Sequence, residues 1–521
     1  MELADIFKGK DLAELERRGV TKEQVLHQLA VFRKGPNYLR LVRPCTLGDG
    51  IQKLPEEKAI RLARMYEDRI SGLVPAKFVP ASGAATRMFK PLITRLPDIM
   101  KMGPQALAHL RGQDDPDSRE AVRFIENFRD FAFFPRLAAA MEKQGADIEA
   151  LFSQNEFGPA LSFLLHENGL GFAGLPKAMI EFHRYGGSAR TPLEEHLIEA
   201  ADYAVSSEGD SRVHFTVPED SQEAFERLAR EIADRVTLKT GVLFDTEFSI
   251  QDPATDTVAV TPEGEPFRNA DGSLLFRPAG HGALIGNLNR IQADVIFINN
   301  IDNVVPDRLK QVRNLYKKAL AGLLLEVQEK VFGFREFLEE NRSPTSEQLN
   351  KIKYFCENQL LLDLRDLEGE KLAARLTALL SRPLRVCGMV RNLGDPGGAP
   401  FFVEDEEGML SIQIVEGAQV NQGSEEQKKV FASSTHFNPV DVIIAPYDPH
   451  GRKYDITRYV DEKAVFISKK SKEGRDLFAL ELPGLWNGSM SDWNTVFAEV
   501  PMEAYDPVKN VNDLLSPSHR V

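Results

Sequence analysis

Four segments of this 521-residue chain carry residue types suited to holding phosphate. The first is Ala81-Ser82-Gly83-Ala84-Ala85 running into Thr86-Arg87-Met88. Small side chains there let a ligand approach the backbone, and amides at the start of a following helix would point at an anion. It is not a Walker loop, because no Gly-Lys-Ser/Thr follows, and it lacks the Gly-x-Gly-x-x-Gly of a dinucleotide fold. A close packing turn between strand and helix explains the same residues. The second is Pro176-Lys177, where a lysine behind a proline could meet a phosphate as a point charge, although most lysines are simply solvated. The third, Arg277-Pro278-Ala279-Gly280-His281-Gly282-Ala283, sets two glycines beside a histidine, which permits close backbone contact with a base or sugar, or else caps a helix. The fourth is Ile296-Phe297-Ile298-Asn299-Asn300-Ile301-Asp302-Asn303, an apolar run ending in amides and one carboxylate. In open α/β sheets ligands gather beyond the carboxyl ends of strands, so Asp302 stands where Mg²⁺ and phosphate oxygens would meet. Asparagine and aspartate also build plain turns.

The elements that must position these residues follow from periodicity. Apolar residues recur at helical spacing from about residue 12 to 71, as in Val25, Leu29 and Phe32 and in Leu62, Met65 and Tyr66. A short strand is expected at 77–80. Residues 93–174 are expected to be mainly helical, with Phe124, Phe128 and Phe131 on a packed side. Helices then alternate with β-rich runs at 213–217, 244–250 and 294–298, which argues for an α/β layered body with a largely parallel sheet. A helical block spans roughly 307–380, strands resume at 385–390 and 410–415, and Asp395-Pro396-Gly397-Gly398 marks a turn. The expected division is a helical region over 1–75, a core over 76–383 with helical insertions near 93–174 and 307–380, and a second half of the core over 384–521.

Composition limits the partners. Hydrophobic residues at 42% and charged residues at 27% are those of an ordinary globular protein, not a disordered tract. The net charge of −14 repels nucleic acid and anionic membranes, so a phosphorylated ligand requires a local basic pocket. Three widely spaced cysteines, Cys45, Cys356 and Cys387, fit free thiols in a reducing compartment. The acidic run Met1-Glu2-Leu3-Ala4-Asp5 has no signal-peptide character and no stretch nears the ~20 apolar residues of a membrane span, so a cytoplasmic location is expected.

Taken in order, the four segments resemble the sugar-1-phosphate nucleotidyltransferases, most closely their UDP-sugar pyrophosphorylase branch, and the whole chain resembles the DUF4301 family. The first resemblance implies a GT-A-like (Rossmann-like) mixed, mostly parallel sheet flanked by helices, with a helical N-terminal region and helical insertions. It implies that Ser82, Gly83, Ala84 and Thr86 cradle a nucleotide beside Arg87, that Lys177 binds phosphate, and that Gln251 with Gly280, His281 and Gly282 lines the base. Asp302 would bind Mg²⁺, Glu416 the sugar, and Lys509, in Asp506-Pro507-Val508-Lys509-Asn510, a further phosphate. Asn438 and Asp441 are additional sugar or metal candidates, and Trp486 and Trp493 face either a ligand or the core. The implied reaction is Mg²⁺-dependent transfer from a nucleoside triphosphate, UTP by resemblance, to a sugar 1-phosphate. A noncatalytic nucleotide-sugar binder and a GT-A glycosyltransferase are the alternatives. The chain departs from the family in having Ala84 and Ala85 where glycines are usual, and in placing Lys177 90 positions after Arg87 rather than about a dozen. A helical insertion that emerges and returns would reconcile that spacing, with Lys90 as the rival cation.

Overall fold

The computed structural model describes residues 6–341, 343–394 and 397–520. The acidic run at 1–5 and Asp395-Pro396 of the expected turn lie outside the described residues. The chain forms two compact units, each assembled from three stretches. One comprises Met1–Phe78, Ser249–Ile298 and Lys317–Pro501, the other Val79–Phe248, Asn299–Tyr316 and Met502–Val521. The division expected from the sequence was linear, whereas the units interleave.

The first unit is built on a mixed sheet whose strands run in the order Thr46–Leu47, Gly50–Gln52, Asn494–Glu499, Leu384–Arg391, Asp441–Ala445, Val295–Asn299 and Pro75–Pro80. The pairings are parallel except that of Leu384–Arg391 with Asp441–Ala445, which is antiparallel, among those whose register is defined. The mostly parallel α/β sheet expected from the alternating texture is therefore present. Val295–Asn299 is buried throughout, which is why it reads as an unbroken apolar run. Ile296 and Ile298 pack with Leu288 of the helix Ile285–Arg290. On the opposite face Phe297 meets Tyr66 of the helix Glu56–Arg69 edge-on, with ring centres 5.9 Å apart. The long helix Asp307–Glu340 crosses that helix at Gly322, where a Cβ would lie 2.0 Å from the Leu62 carbonyl oxygen. Helices thus cover both faces of the sheet.

The expected helical run over 12–71 holds the helices Gly9–Arg18, Lys22–Lys34 and Glu56–Arg69, but three strands, Arg40–Pro44, Thr46–Leu47 and Gly50–Gln52, interrupt it. The local period there is two: Leu41 is buried between exposed Arg40 and Val42, and the strand pairs with Ala399–Glu404.

In the second unit the expected helical stretch is realised as six helices from Lys90–Met102 to Gly158–Leu165. Their shared core is rich in phenylalanine: Phe131 stacks on Phe133 at 5.1 Å, and Phe124 on Phe131 at 4.5 Å. Asp115 begins one of these helices by accepting from the Ser118 N–H, with Pro116 at the first helical position. Val304, Val508 and Val511 join the same core, which fixes the backbone on both sides of the site described next. The expected strands at 213–217 and 244–250 appear as Asp210–Thr216 and Leu243–Ser249.

Candidate active site

The loop after Pro75–Pro80 and the segment carrying Lys177 are neighbours. Ala84 and Pro176 form a β-bridge, the Ala85 N–H donates to the Leu175 carbonyl at 2.9 Å, and the Lys177 N–H donates to the Gly83 carbonyl at 3.1 Å. The Thr86 hydroxyl donates to the Ala173 carbonyl at 2.8 Å. The six helices therefore leave at residue 90 and return at residue 173 beside their point of departure. Ser82, Gly83, Ala84, Thr86 and Arg87 are exposed, and Arg87 makes no ion pair among the described residues. Lys90, at the first position of its helix, is exposed as well.

Lys177, 7% exposed, directs its ammonium at Asp302: Nζ donates to Asp302 Oδ2 at 2.9 Å and to the Val508 carbonyl at 2.7 Å. Lys509, half exposed, donates to the same Asp302 Oδ2 at 3.1 Å. Residues 506–510 form a strap held to the Asp302 loop by backbone contacts. The Val508 N–H donates to the Asp302 carbonyl at 3.0 Å, and Asn303 bridges Pro507. Arg313 ties both segments, donating to Asn303 Oδ1 at 3.1 Å and to the Ala504 carbonyl at 2.8 Å. Burial alone would raise the Asp302 carboxyl, but the ammonium groups of Lys509 and Lys177 outweigh it and hold the group below the usual carboxylate range. The cluster of two lysines and one carboxylate has a surplus of positive charge within an acidic chain.

Asp302 Oδ1 is buried and has no hydrogen-bond partner among the described residues. No group of three or more potential His, Cys, Asp or Glu ligands occurs among the described residues. A single free carboxylate oxygen fits Mg²⁺ in the form where one carboxylate and substrate phosphates share the shell, and does not fit a cage made wholly of protein.

In the first unit His281 accepts the Leu485 N–H at Nδ1 (2.9 Å), so a neutral ring carries its proton on Nε2, which faces Glu416 Oε1 at 3.6 Å. The ring lies flat on Trp486, with centres 4.0 Å apart and planes 7° from parallel. Burial pushes the Glu416 carboxyl up, while His281 and Asn487 pull it further down, leaving it below its ordinary value. The flanking glycines are fixed by packing: Gly280 has φ +77°, and a Cβ on Gly282 would lie 2.1 Å from the Pro483 carbonyl oxygen. Trp486 and Trp493 both belong to the core.

Two further nominated residues spend their amides locally. Gln251 donates to Thr255 and Asp256, both at 3.2 Å. Asn438 donates to the Gly388 carbonyl at 2.9 Å and accepts the Val440 N–H at 3.1 Å, at a residue with φ +60°. Asp441 is paired with buried Lys317 at 2.5 Å. A cavity of about 870 Å³ in this unit, lined by Arg382, Gln413, Gln419 and Asn487 among others, borders none of the nominated residues. Sequence reasoning missed Arg385, fully buried, which donates to the Trp486 carbonyl at 2.7 Å and to Thr495 at 2.8 Å. Its place in an apolar strand pattern gave no signal.

The structure thus gathers Lys177, Asp302 and Lys509 in one unit, with the loop carrying Ser82 to Arg87 bonded to the lysine segment, and pairs His281 with Glu416 in the other. The chain belongs to the DUF4301 family, described as a domain of unknown function, whose model matches residues 8–520. Among solved structures it is similar to the UDP-glucose pyrophosphorylase of Leishmania major, at 12% identity and TM-score 0.43, covering 97% of this chain and 77% of that one. It is also similar to the uridine diphosphate N-acetylglucosamine pyrophosphorylase of Trypanosoma brucei, at 10% identity and TM-score 0.49, covering 99% and 79%. No curated protein matches the chain. No helix among the described residues is long and apolar enough to cross a membrane.

Proposed function

We propose that the chain is a nucleotidyltransferase that joins a nucleoside triphosphate, UTP by resemblance, to a sugar 1-phosphate, releasing pyrophosphate. The observation that carries this reading is the convergence of Lys177 and Lys509 on Asp302 beside a loop of small residues. An oxygen of the sugar 1-phosphate attacks the α-phosphorus. The new P–O bond forms as the bond to the β-phosphate bridging oxygen breaks, and that electron pair leaves with pyrophosphate. No protein nucleophile is required. Two anions must be brought together, so the protein's share is alignment and neutralisation.

An ammonium has three donors, and the described contacts leave one free on Lys177 and two on Lys509 for phosphate oxygens. Arg87 adds a cation from the loop, and the amides of Ser82 to Thr86 offer backbone donors. Asp302, through Oδ1, is the residue that would hold Mg²⁺, which when bound supplies charge neutralisation on phosphate oxygens. In the other unit, sugar and base recognition are the parts that the resemblance implies for Glu416, which faces His281, and for Gln251, which donates to Thr255 and Asp256.

The test is release of pyrophosphate by the purified chain with Mg²⁺, UTP and a panel of sugar 1-phosphates. Release by the wild type and its loss in an Asp302→Ala variant that remains folded support the reading. Equal release by both removes Asp302 from the mechanism. Calorimetric binding of UDP-sugar without turnover assigns the chain to the binding proteins instead.

A further inference from the structure

The second unit holds a buried row of ionisable groups that the proposed reaction does not use. His183 Nδ1 lies 2.8 Å from Glu195 Oε1, His183 Nε2 lies 2.8 Å from His519 Nδ1, and His519 Nε2 lies 3.1 Å from Asp506 Oδ2. Glu195 and His183 are fully buried and His519 is 2% exposed. Asp506 opens the strap that carries Lys509, and the Asp506 N–H donates to Asn303 Oδ1 beside Asp302. One end of the strap therefore touches the phosphate cluster and the other touches the histidine pair.

We propose that His519, docked on His183, is a positioning residue for Lys509, and that protonation of both rings undocks residues 511–520 and slackens the strap. The proton count gives the reason. Glu195 also receives the Tyr185 hydroxyl at 2.9 Å, the Lys310 ammonium, and Arg190 at 3.5 Å, so it is an ionised acceptor and His183 Nδ1 carries a hydrogen. Two of the row's three contacts are hydrogen bonds and need one hydrogen each, on His183 Nδ1 and between His183 Nε2 and His519 Nδ1; the His519–Asp506 approach at 3.1 Å lacks hydrogen-bond geometry. One hydrogen between the two rings satisfies the 2.8 Å contact, whichever ring carries it. When both rings are protonated, N–H is set against N–H at the 2.8 Å contact and two positive rings lie together, so the contact opens.

The groups around the pair set where this happens. His519 faces Phe182, His183 and Asp506, with Arg308 adding positive charge. His183 faces Glu195, Tyr185 and His519, with Arg190, Lys310 and Asp307 beyond. Asp506 also feels Asp513, Arg313 and Arg308. Burial first, then His183 and Arg308, hold His519 well below the ordinary imidazole range, so the latch opens only in acid.

The consequence for Lys509 rests on the phosphate-site reading, but the latch can be tested without it. In the full chain, amide hydrogen exchange of residues 511–520, corrected for the intrinsic effect of pH, is expected to quicken about tenfold or more between roughly pH 7 and roughly pH 5, while the helices of 116–165 stay protected. In His519→Gln, which keeps a donor and an acceptor but does not titrate, that acceleration disappears. Acylation of Lys509 by an amine-directed reagent is expected to be several-fold faster in His519→Ala than in wild type at one neutral pH. Exchange that is flat with pH in the wild type, or equally pH-dependent in His519→Gln, overturns the proposal, and the wild-type series decides alone if the variants do not fold. Failure of pyrophosphate release with the expected exchange behaviour sinks the transferase reading and leaves the latch standing.

Discussion

Lys177 and Asp302 lie 125 positions apart in the chain, and their charged atoms lie 2.9 Å apart. Both side chains are about nine-tenths buried, so each depends on the other for its charge. Removing one member of such a pair costs about 3–5 kcal/mol, because the remaining charge stays buried without its partner. Asp302→Ala is expected to lower the unfolding free energy by that order, leaving Lys177 on the Val508 carbonyl beside Lys509 of like charge. Replacing both residues by apolar ones of similar size is expected to recover most of the loss. Denaturant titration of the single and double variants checks this, and a double variant less stable than either single one contradicts it.

Lys177→Ala is expected to reduce pyrophosphate release by at least about a hundredfold, as loss of a fixed cation at developing charge commonly does. Lys90→Ala is expected to change it little, because Lys90 is exposed at a helix start. Initial rates under saturating substrate compare the two, and the reverse ranking assigns the phosphate contact to Lys90.

Gly282→Ala is a test of packing. Its methyl would sit 2.1 Å from the Pro483 carbonyl oxygen, so the backbone must move. A loss of about 1–3 kcal/mol is expected from overpacking of this kind. Gly286→Ala, with open space around the added Cβ, serves as the control. Equal thermal midpoints for both variants would mean that the turn at 280–283 yields easily.

Asp506 and His519 should shape the pH dependence of stability in opposite senses. Burial pushes the Asp506 carboxyl up to about 6, so its contribution is present below the ordinary carboxylate value and is lost as pH rises through about 6. Asp506→Asn is therefore expected to gain on the wild type between about pH 4 and about pH 7, by at most about 3 kcal/mol. His519 is held below 6.5 by burial, so its contribution is present above that value and lost as pH falls. His519→Gln is expected to gain on the wild type toward acid. Unfolding free energies across this range decide, and variant-minus-wild-type differences that change with pH in the same direction for both variants refute the assignment.

The sequence made the sheet legible where strands are buried on both faces, as in Val295–Asn299, since that burial writes an unbroken apolar run. It also showed that Asp302 follows the end of that strand. The three strands between Arg40 and Gln52 were hidden because they are short and one alternates only over Leu41 and its neighbours. The glycines at 280 and 282 read as a place for close approach of a base or sugar, and the structure sets residues 481–483 against them, which only tertiary structure reveals. Gln251 and Asn438 were nominated by residue type, and a local string cannot show that an amide is already engaged by Thr255 or Gly388. The histidine pair was invisible for a simpler reason: His183 and His519 are 336 positions apart.

Lys177, Asp302 and Lys509 are proposed to form the polyphosphate site. Titration calorimetry of UTP with Mg²⁺ into wild type, Lys177→Ala and Lys509→Ala tests it most directly. Saturable binding by the wild type is expected, with affinities at least about tenfold weaker, about 1.4 kcal/mol, in each lysine variant. Equal affinity in all three proteins would contradict it.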